Sequence, residues 1–268
     1  MNDMTKTHQE MSPTQRNFVA LGTIVRREVN RILRIWGQTL VPPAITMTLY
    51  FVIFGNLVGA RIGEMGGYRY IDYIVPGLIM MSVIQNAYGN IVSSFFGAKF
   101  QRFVEEMLVA PMPPWVVLAG YVGGALARAT MVGIIVLAIG MCFTRIQLHH
   151  PLVTLTTLLL TAIVFAFAGF INAMYAKKFD DIAIVPTFIL TPLTYLGGVF
   201  YSVELLPPFW ERVSHANPIL YMVNAFRYGL LGTSDVDLGI AYGVMIGFAL
   251  VLGGFSLWLL KRGVGLRS

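Results

Sequence analysis

Six long apolar stretches alternate with short polar segments along this chain of 268 residues. A helix needs about 20 apolar residues to cross a bilayer, and each stretch is long enough. Only the third stretch contains a charged side chain, Arg128, which lies near its centre. The pattern predicts an all-α membrane protein with six transmembrane helices, over residues 35–60, 73–98, 115–143, 146–176, 182–203 and 238–260.

The segment before the first span is amphipathic. Its apolar residues recur at helical spacing and its basic residues occupy the other side: Phe18, Leu21, Val25, Val29, Ile32 and Trp36 against Arg26, Arg27, Asn30, Arg31 and Arg34. A basic amphipathic helix that ends in tryptophan is typical of the membrane interface. We predict such a helix over residues 18–36, with a helix-start signal at residues 12–14; an ordinary solvent-exposed helix is the alternative.

A short charged stretch, KFQRFVEEMLVAPMPP, separates the second and third spans. On a helical wheel, one arc is apolar and the other polar: Phe100, Phe103, Val104, Met107 and Leu108 against Gln101, Arg102, Glu105 and Glu106. We predict a two-faced helix over residues 99–110, ended by prolines. It either reconnects two spans at the interface or docks into a cytoplasmic partner. The two glutamates favour a partner, because the cytoplasmic membrane surface is negative.

Residues 204–232, between the fifth and sixth spans, are rich in proline and aromatic residues, but their apolar pieces are too short to cross a bilayer. Half-spanning helices are tolerated where protein buries their ends. We predict a re-entrant structure here, on the outer face. The chain shows no sustained repeat and no low-complexity linker, which indicates a single transmembrane domain over residues 1–268.

Composition agrees with a membrane protein, and the charge pattern orients it. Hydrophobic residues make up 56% of the chain and charged residues 12%, whereas soluble domains have about 25% charged residues. The basic residues lie beside apolar runs rather than on a polar domain, so we do not expect nucleic-acid binding. Thirteen lysines and arginines fall on the N-terminal side of the membrane. Five fall on the opposite side: Arg61, Arg69, Arg145, Arg212 and Arg227. The positive-inside rule therefore makes both termini cytoplasmic.

Sequence motifs for chemistry are absent. There is no GxxxxGK[ST] loop, so the chain is not expected to bind ATP in the P-loop manner. The single cysteine, Cys142, excludes an internal disulfide, and the four histidines lack metal-ligand spacing. No Ser-His-Asp or paired-carboxylate arrangement is evident. We predict that the chain is not an enzyme and holds no metal or cofactor.

Polar side chains recur along two spans. The second span carries Ser82, Asn86, Asn90 and Ser93, and the fifth carries Thr187, Thr191, Thr194 and Tyr201. These stripes either line a substrate pathway or form hydrogen bonds between helices, worth about 0.6 to 2 kcal/mol each.

Arg128 is the third pathway candidate, because a mid-span charge must face protein or water. It either pairs with an anionic substrate or caps carbonyls. Small residues flank it at spacings that favour tight helix packing: Gly120, Gly124, Ala125, Ala129 and Gly133.

Several runs resemble the permeases of the ABC-2 exporter superfamily, in particular the YadH-type inner-membrane permeases of Gram-negative bacteria. The runs are QTLVPPAITMTLYFVIFGNL (38–57), YIVPGLIMMSVIQNAYGN (73–90), SSFFGAKFQRFVEEMLVAPMP (93–113), KKFDDIAIVPTFILTPLTYLGGVFYS (177–202), LLPPFW (205–210) and NPILYMVNAFRYGLLG (217–232). They are long, fall in the expected order and cover most of residues 31–232. The first thirty residues and the sixth span resemble the family only in character.

The resemblance implies six spans, an amphipathic connecting helix, a coupling helix between the second and third spans that docks an ATPase, and re-entrant helices before the sixth span. The coupling role falls on Phe100, Arg102, Phe103, Glu105, Glu106 and Met107. The loop KKFDD (177–181) is a second candidate contact, through Lys178 and Asp180. Its charges equally suit membrane topology and a helix N-terminus.

The resemblance further implies an exporter of the bacterial inner membrane. Two copies of the permease would work with two cytoplasmic ATPase subunits, which hold ATP and Mg. The permease copies would also contact membrane lipids. The cargo would be amphipathic or hydrophobic, such as a lipid, a glycan or a drug. The alternative is an ATP-independent channel or secondary transporter, which is expected to carry acidic or histidine relay residues inside its spans. A membrane scaffold without transport would need no polar stripes.

Overall fold

The computed structural model describes residues 12–104, 107, 112–144 and 148–265, and this part of the chain is helical apart from turns, short connections and one small hairpin. The helices, in chain order, are α1 (Pro13–Arg34), α2 (Trp36–Thr39), α3 (Val41–Val52), α4 (Gly59–Ile62), α5 (Tyr70–Phe100), α6 (Pro114–Phe143), α7 (Pro151–Tyr175), α8 (Asp181–Val185), α9 (Thr191–Leu196), α10 (Pro208–His215), α11 (Pro218–Leu231) and α12 (Leu238–Arg262). π-Helical segments at Ile53–Val58 and Pro186–Leu190 join α3 to α4 and α8 to α9, and a 3₁₀ turn covers Val203–Leu205.

Proline and capping side chains set where many of these helices begin. Helices α1, α6, α7, α10 and α11 each start with proline, whose missing N–H would have no partner in the first turn. Ser12 and Gln15 form a capping box at the start of α1. Asn217 and Asp237 cap α11 and α12 through their side chains. Helix α1 thus begins where the signal at residues 12–14 predicts.

Helix α5 lies at the centre of the bundle. It packs along α6 and α7 and also contacts α11, and every residue from 73 to 84 is buried. Helix α1 packs on α6, and α12 packs on α7. One apolar core surrounds the first half of α5, and a second core joins the last part of α5 to α1 and the start of α6.

Four helical stretches of the described chain are long and apolar enough to cross a membrane: Trp36–Ile62, α6, α7 and α12. Helix α5 has 31 residues and carries the polar side chains predicted for the second span. The fifth predicted span forms a shorter apolar helical stretch, Asp181–Leu196. The structure is that of an all-α membrane protein. Four helical stretches of the described chain have the length and apolar composition of a membrane span, and the total of six spans stays a prediction.

The helical part of the fifth span ends earlier than the sequence predicts. It stops at Leu196 rather than near residue 203, and the chain then turns at Gly198, whose φ is 71°. Pro186 and Pro192 remove amide donors from this stretch, and the π-helical segment begins at the first of them. The prediction was wrong at this end because apolar residues continue past the helix into the turn.

A two-stranded antiparallel hairpin connects α4 to α5, which the prediction of an all-α chain did not include. Its strands are β1 (Glu64–Met65) and β2 (Tyr68–Arg69). Gly66 and Gly67 form the turn with φ angles of 59° and 79°. A two-residue hairpin turn needs positive φ at both central positions, which glycine adopts without strain.

The predicted helix over residues 99–110 does not begin where periodicity placed it. Lys99 and Phe100 are the last residues of α5, and a turn follows at Gln101 and Arg102, whose φ is 63°. Residues 103–104 are helical again. A wheel cannot separate the last turn of a long helix from a new helix, because both have the same period.

Helix α1 packs on a face that is rotated from the predicted apolar stripe. The buried residues of α1 are Ile24, Glu28 and Ile32. Two residues of the predicted apolar stripe are instead exposed: Phe18 of α1 at 63% and Trp36 of α2 at 59%. Glycines of α6 determine this face, since a Cβ on Gly120 or Gly124 would collide with Ile24 or Glu28. The tight packing expected at these glycines is thus made with α1.

Candidate pathway and partner-docking surface

Arg128 lies near the middle of α6 and contacts α5. Its Nε donates a hydrogen bond to Asn86 Oδ1 at 3.1 Å. Both side chains line a cleft of about 290 Å³ between α5, α6 and the first-span helices, together with Gln38, Pro42, Thr46, Ser82 and Gln85. The structure therefore brings together three of the predicted pathway residues, Ser82, Asn86 and Arg128.

Ser82 and Asn90, on the polar stripe of α5, each have a polar atom without a partner among the described residues. The hydroxyl of Ser82 and the Nδ2 of Asn90 are buried and form no hydrogen bond with any described residue. Arg128 itself forms no ion pair within the described part of the chain. This face therefore carries one guanidinium and two buried polar atoms whose hydrogen bonds are not satisfied by the described residues.

The polar face continues from the cleft toward the end of α5 that is predicted to be cytoplasmic. Asn90 Oδ1 accepts a hydrogen bond from Arg31 Nη2 at 2.9 Å. Asn86 and Asn90 are one helical turn apart, so their Cβ atoms are about 6 Å apart. Two guanidinium groups, one from α1 and one from α6, thus contact neighbouring asparagines of the same helix.

Glu28 was not predicted as a site residue, although it is the centre of the contact between α1 and the bundle. Its carboxylate is 2% exposed, accepts a hydrogen bond from Ser94 Oγ at 2.6 Å, and pairs with Arg27 and Arg31 at 3.3 and 3.0 Å. Arg27 also donates to the hydroxyl of Tyr121 at 2.9 Å. A signal was available, because Glu28 is the only acidic residue between Glu10 and Glu64.

A larger groove of about 520 Å³ opens beside this ion cluster. Its lining includes Arg27, Glu28, Arg31, Arg34, Ser93 and Phe103. The described residues that line it include three arginines and one buried glutamate, and their summed charge is positive. It lies between α1 and the end of α5, on the side predicted to be cytoplasmic.

The threonine stripe of the fifth span does not line the Arg128 cleft or the larger groove. The hydroxyls of Thr191 and Thr194 donate to Pro186 O and Leu190 O of their own helical stretch, at 2.9 and 2.7 Å. Thr194 is fully buried, while Thr187 is exposed. None of the three lines the cleft or the groove. A pathway role for this stripe stays a prediction.

The two predicted contacts with an ATPase meet in an aromatic cluster. The ring centroid of Phe179, in the KKFDD loop, lies 5.1 Å from the ring centroid of Phe100 and 5.0 Å from that of Phe96. Phe100 and Phe179 remain 62% and 55% exposed, and Phe103 is 48% exposed. The end of α5 and the KKFDD loop therefore form one surface with exposed phenylalanine rings.

Two charged residues hold this surface in place. Lys99 Nζ donates to Met174 O and Ala176 O, both at 2.7 Å, at the end of α7. The carboxylate of Asp181 accepts from the backbone N–H groups of Lys177 and Lys178 at 2.8 and 3.0 Å, which lowers the pKa of Asp181. The loop is thus fixed by its own carboxylate at its junction with α8.

The remaining predicted coupling residues have different positions. Arg102, Lys178 and Asp180 are exposed, and Met107 is half-buried. Glu105 and Glu106 lie outside the described residues. Their roles in binding a partner stay predictions.

On the opposite side of the bundle, Arg227 of α11 was counted only as an outer-face charge, yet it is fully buried. It donates to Gly198 O at 2.7 Å and to Asn224 Oδ1 at 2.9 Å, and lies 3.8 Å from Asp235 Oδ2. Its guanidinium stacks over the Tyr73 ring, with Cζ 4.0 Å from the ring centroid. Asp235 in turn accepts hydrogen bonds from the hydroxyls of Tyr73 and Ser202. This network joins the predicted re-entrant segment to the second and fifth spans.

Comparison with known proteins identifies relatives along most of the chain. The family model described as "ABC-2 type transporter" matches residues 19–231. The inner membrane transport permease YadH of Escherichia coli (strain K12) is 59% identical over 94% of this chain and 98% of that protein. Nodulation protein J of Neorhizobium galegae is 21% identical over 80% of this chain and 82% of its own length. The protein of the same name from Rhizobium meliloti (strain 1021) is 23% identical over the same shares.

Proposed function

The chain belongs to the ABC-2 type transporter family, and we propose that it is the permease subunit of an ATP-driven exporter. It is a multi-pass protein of the inner membrane. In this proposal it has six spans with both termini in the cytoplasm, and two copies assemble with two copies of a separate ATPase. ATP and Mg bind in that partner, and the cargo is amphipathic or hydrophobic.

The phenylalanine surface at the cytoplasmic side is the observation that supports this proposal most. Phe100, Phe103 and Phe179 expose about half or more of their rings on a surface that Lys99 and Asp181 hold in place. Clustered exposed apolar residues mark sites where another protein or the membrane is bound, and aromatic residues are enriched at protein–protein interfaces. We infer that the end of α5, the segment after it and the KKFDD loop bind the ATPase together.

Helix α5 connects this surface to the Arg128 cleft without a break. Phe100 and Asn86 are 14 residues apart in one helix, which corresponds to about 21 Å. A displacement of the docking surface would therefore move Asn86, and with it the hydrogen bond to Arg128. ATP-driven closure of the ATPases would in this way change access to the cleft.

The experiment is co-purification of the permease with candidate ATPases, followed by measurement of ATP hydrolysis and of complex affinity. Phe100→Ala combined with Phe179→Ala should weaken the complex about tenfold or more, because truncated aromatic anchors at an interface cost about 2 kcal/mol. Phe209→Ala is the matched control, since Phe209 is 68% exposed on α10 at the other side of the bundle. Glu105→Lys with Glu106→Lys tests the charged part of the same segment.

Failure of the proposal has a clear signature. If no ATPase co-purifies, or if all these variants bind and stimulate the ATPase as the unmodified protein does, the coupling surface is wrongly assigned. Substrate flux in vesicles without ATP would instead favour the ATP-independent transporter.

A further inference from the structure

The Arg128 cleft presents a positive charge and hydrogen-bond donors, with no negative charge among its described lining residues. Arg128 uses Nε to bind Asn86, which leaves the two Nη groups of its guanidinium without a hydrogen bond among the described residues. Ser82, 1% exposed, lines the same cleft with an unpartnered hydroxyl. A buried donor without an acceptor is unfavourable unless a ligand or water supplies one.

The approach to the cleft has the same character. Arg31 binds Asn90, and the fully buried Nδ2 of Asn90 has no partner among the described residues. Glu28 is the one acidic residue among the described residues that line this approach, and it is already bound to Arg27, Arg31 and Ser94. Cationic and donor groups therefore run along one face of α5 from the groove to the cleft.

The cleft also borders an apolar surface. Pro42 and Met47 of α3 line it. On the same helix, Ile45 follows Pro42 by three residues and Leu49 follows Thr46 by three residues. Ile45 is 57% exposed and Leu49 is 55% exposed. A ligand with both an acidic group and a hydrocarbon chain matches these two surfaces, whereas a free inorganic anion would leave the apolar one unused.

We propose that the Arg128 cleft binds the acidic headgroup, a phosphate or a carboxylate, of an amphiphile whose hydrocarbon chain lies along α3. Identifying this amphiphile as cargo rests on the proposed exporter function. Binding of the headgroup does not, because residues of this chain line the cleft.

The test uses the full-length permease purified in uncharged detergent, with a fluorescent chain-labelled phosphatidic acid as the probe. Unlabelled phosphatidic acid, phosphatidylcholine with the same chains, and inorganic phosphate are the competitors. Phosphatidic acid should displace the probe at a concentration about tenfold lower than phosphatidylcholine, as expected for charge-assisted hydrogen bonds. Inorganic phosphate should compete only at far higher concentration.

Four variants locate the site. Arg128→Gln should abolish the preference for phosphatidic acid, Arg128→Lys should retain part of it, and Ser82→Ala should weaken binding about threefold. Arg212→Gln, which removes an exposed charge from α10, should change nothing. If Arg128→Gln does not fold, as judged by thermal unfolding, Arg128→Lys and Ser82→Ala still decide the question.

Several outcomes would overturn the inference: no headgroup preference in the unmodified protein, a preference that survives Arg128→Gln and Ser82→Ala, or phosphate binding as tightly as phosphatidic acid. A last arm separates cargo from resident lipid. In the complex with its ATPase, phosphatidic acid should stimulate hydrolysis; binding without stimulation of a working complex would overturn the assignment as cargo. Absence of an ATPase refutes the proposed function but leaves the binding result intact.

Discussion

Two arginines in apolar surroundings, Arg128 and Arg227, have very different environments. Arg227 is fully buried, and a carbonyl, an amide oxygen, an aromatic ring and a carboxylate surround its guanidinium. Arg128 lies at the wall of a cleft and has one neutral partner, Asn86. Burying a charge is costly unless it is paired and hydrogen-bonded. The Arg227 network therefore holds the fold together, whereas Arg128 leaves room for a ligand to complete its interactions.

The same contrast separates the two sides of the bundle. On the side of Arg227, side chains from α5, α11 and the turn before α12 meet in one hydrogen-bonded network that contains a carboxylate, and of the guanidinium only Nε has no partner among the described residues. On the side of Arg128, polar groups of α5 face two open spaces, and two buried donors have no partner among the described residues. We expect substitutions in the first region to affect stability and those in the second to affect ligand binding.

The largest effect on stability is expected for Arg227→Met. It keeps much of the side-chain volume but removes both hydrogen bonds and leaves Asp235 without its cation. Breaking a buried charge network by removing one partner costs about 3–5 kcal/mol. Thermal unfolding of the purified protein in detergent measures this loss, and Arg227→Lys, which keeps the charge but not the fork of donors, should lose less. Unchanged unfolding of Arg227→Met would contradict the distinction drawn between the two arginines.

An intermediate effect is expected for Glu28→Gln. The amide still accepts a hydrogen bond from Ser94, but Arg27 and Arg31 lose their buried counter-ion. Both arginines are partly exposed, so we expect about 1–2 kcal/mol rather than the full cost of a buried pair. The measurement is thermal unfolding at two salt concentrations. Loosening of α1 should also speed proteolysis at its N-terminal end, and Asn30→Ala, on the exposed side of α1, serves as the control.

The smallest effect on stability is expected for Arg128→Gln. Glutamine removes the unpaired charge, and its amide remains able to bind Asn86, so the free energy of unfolding should change by less than about 1 kcal/mol. The same variant should lose headgroup selectivity. An unfolding free energy that falls as much as in Arg227→Met would show that Arg128 is a structural residue.

Helical periodicity predicted α1 and the apolar stretches well, because burial and hydrogen bonding in a bilayer permit few alternatives to a helix. It failed to predict where some helices end and which face of α1 packs on the bundle. Lys99 belongs to α5, and its side chain binds carbonyls at the end of α7; the packed face of α1 follows from the glycines of α6. These contacts join residues far apart in the chain, and a single sequence does not show them.

The sequence by itself determined that this chain is a helical membrane protein of the ABC-2 type, which polar residues occupy its apolar stretches, and that a charged, aromatic segment follows α5. The membrane character depends on local composition and on the cost of placing charge in hydrocarbon, whereas the family is identified by the resemblance of several long runs of sequence. Only the tertiary structure decided which polar residues meet. It joined Arg128 to Asn86 and Ser82, left the threonines of the fifth span outside the cleft, placed Phe179 on Phe100, and surrounded Arg227 with a carboxylate, two hydrogen-bond acceptors and an aromatic ring. The physical reason is that a side chain's role depends on whether its charge and hydrogen bonds are satisfied, and its neighbours in space decide that.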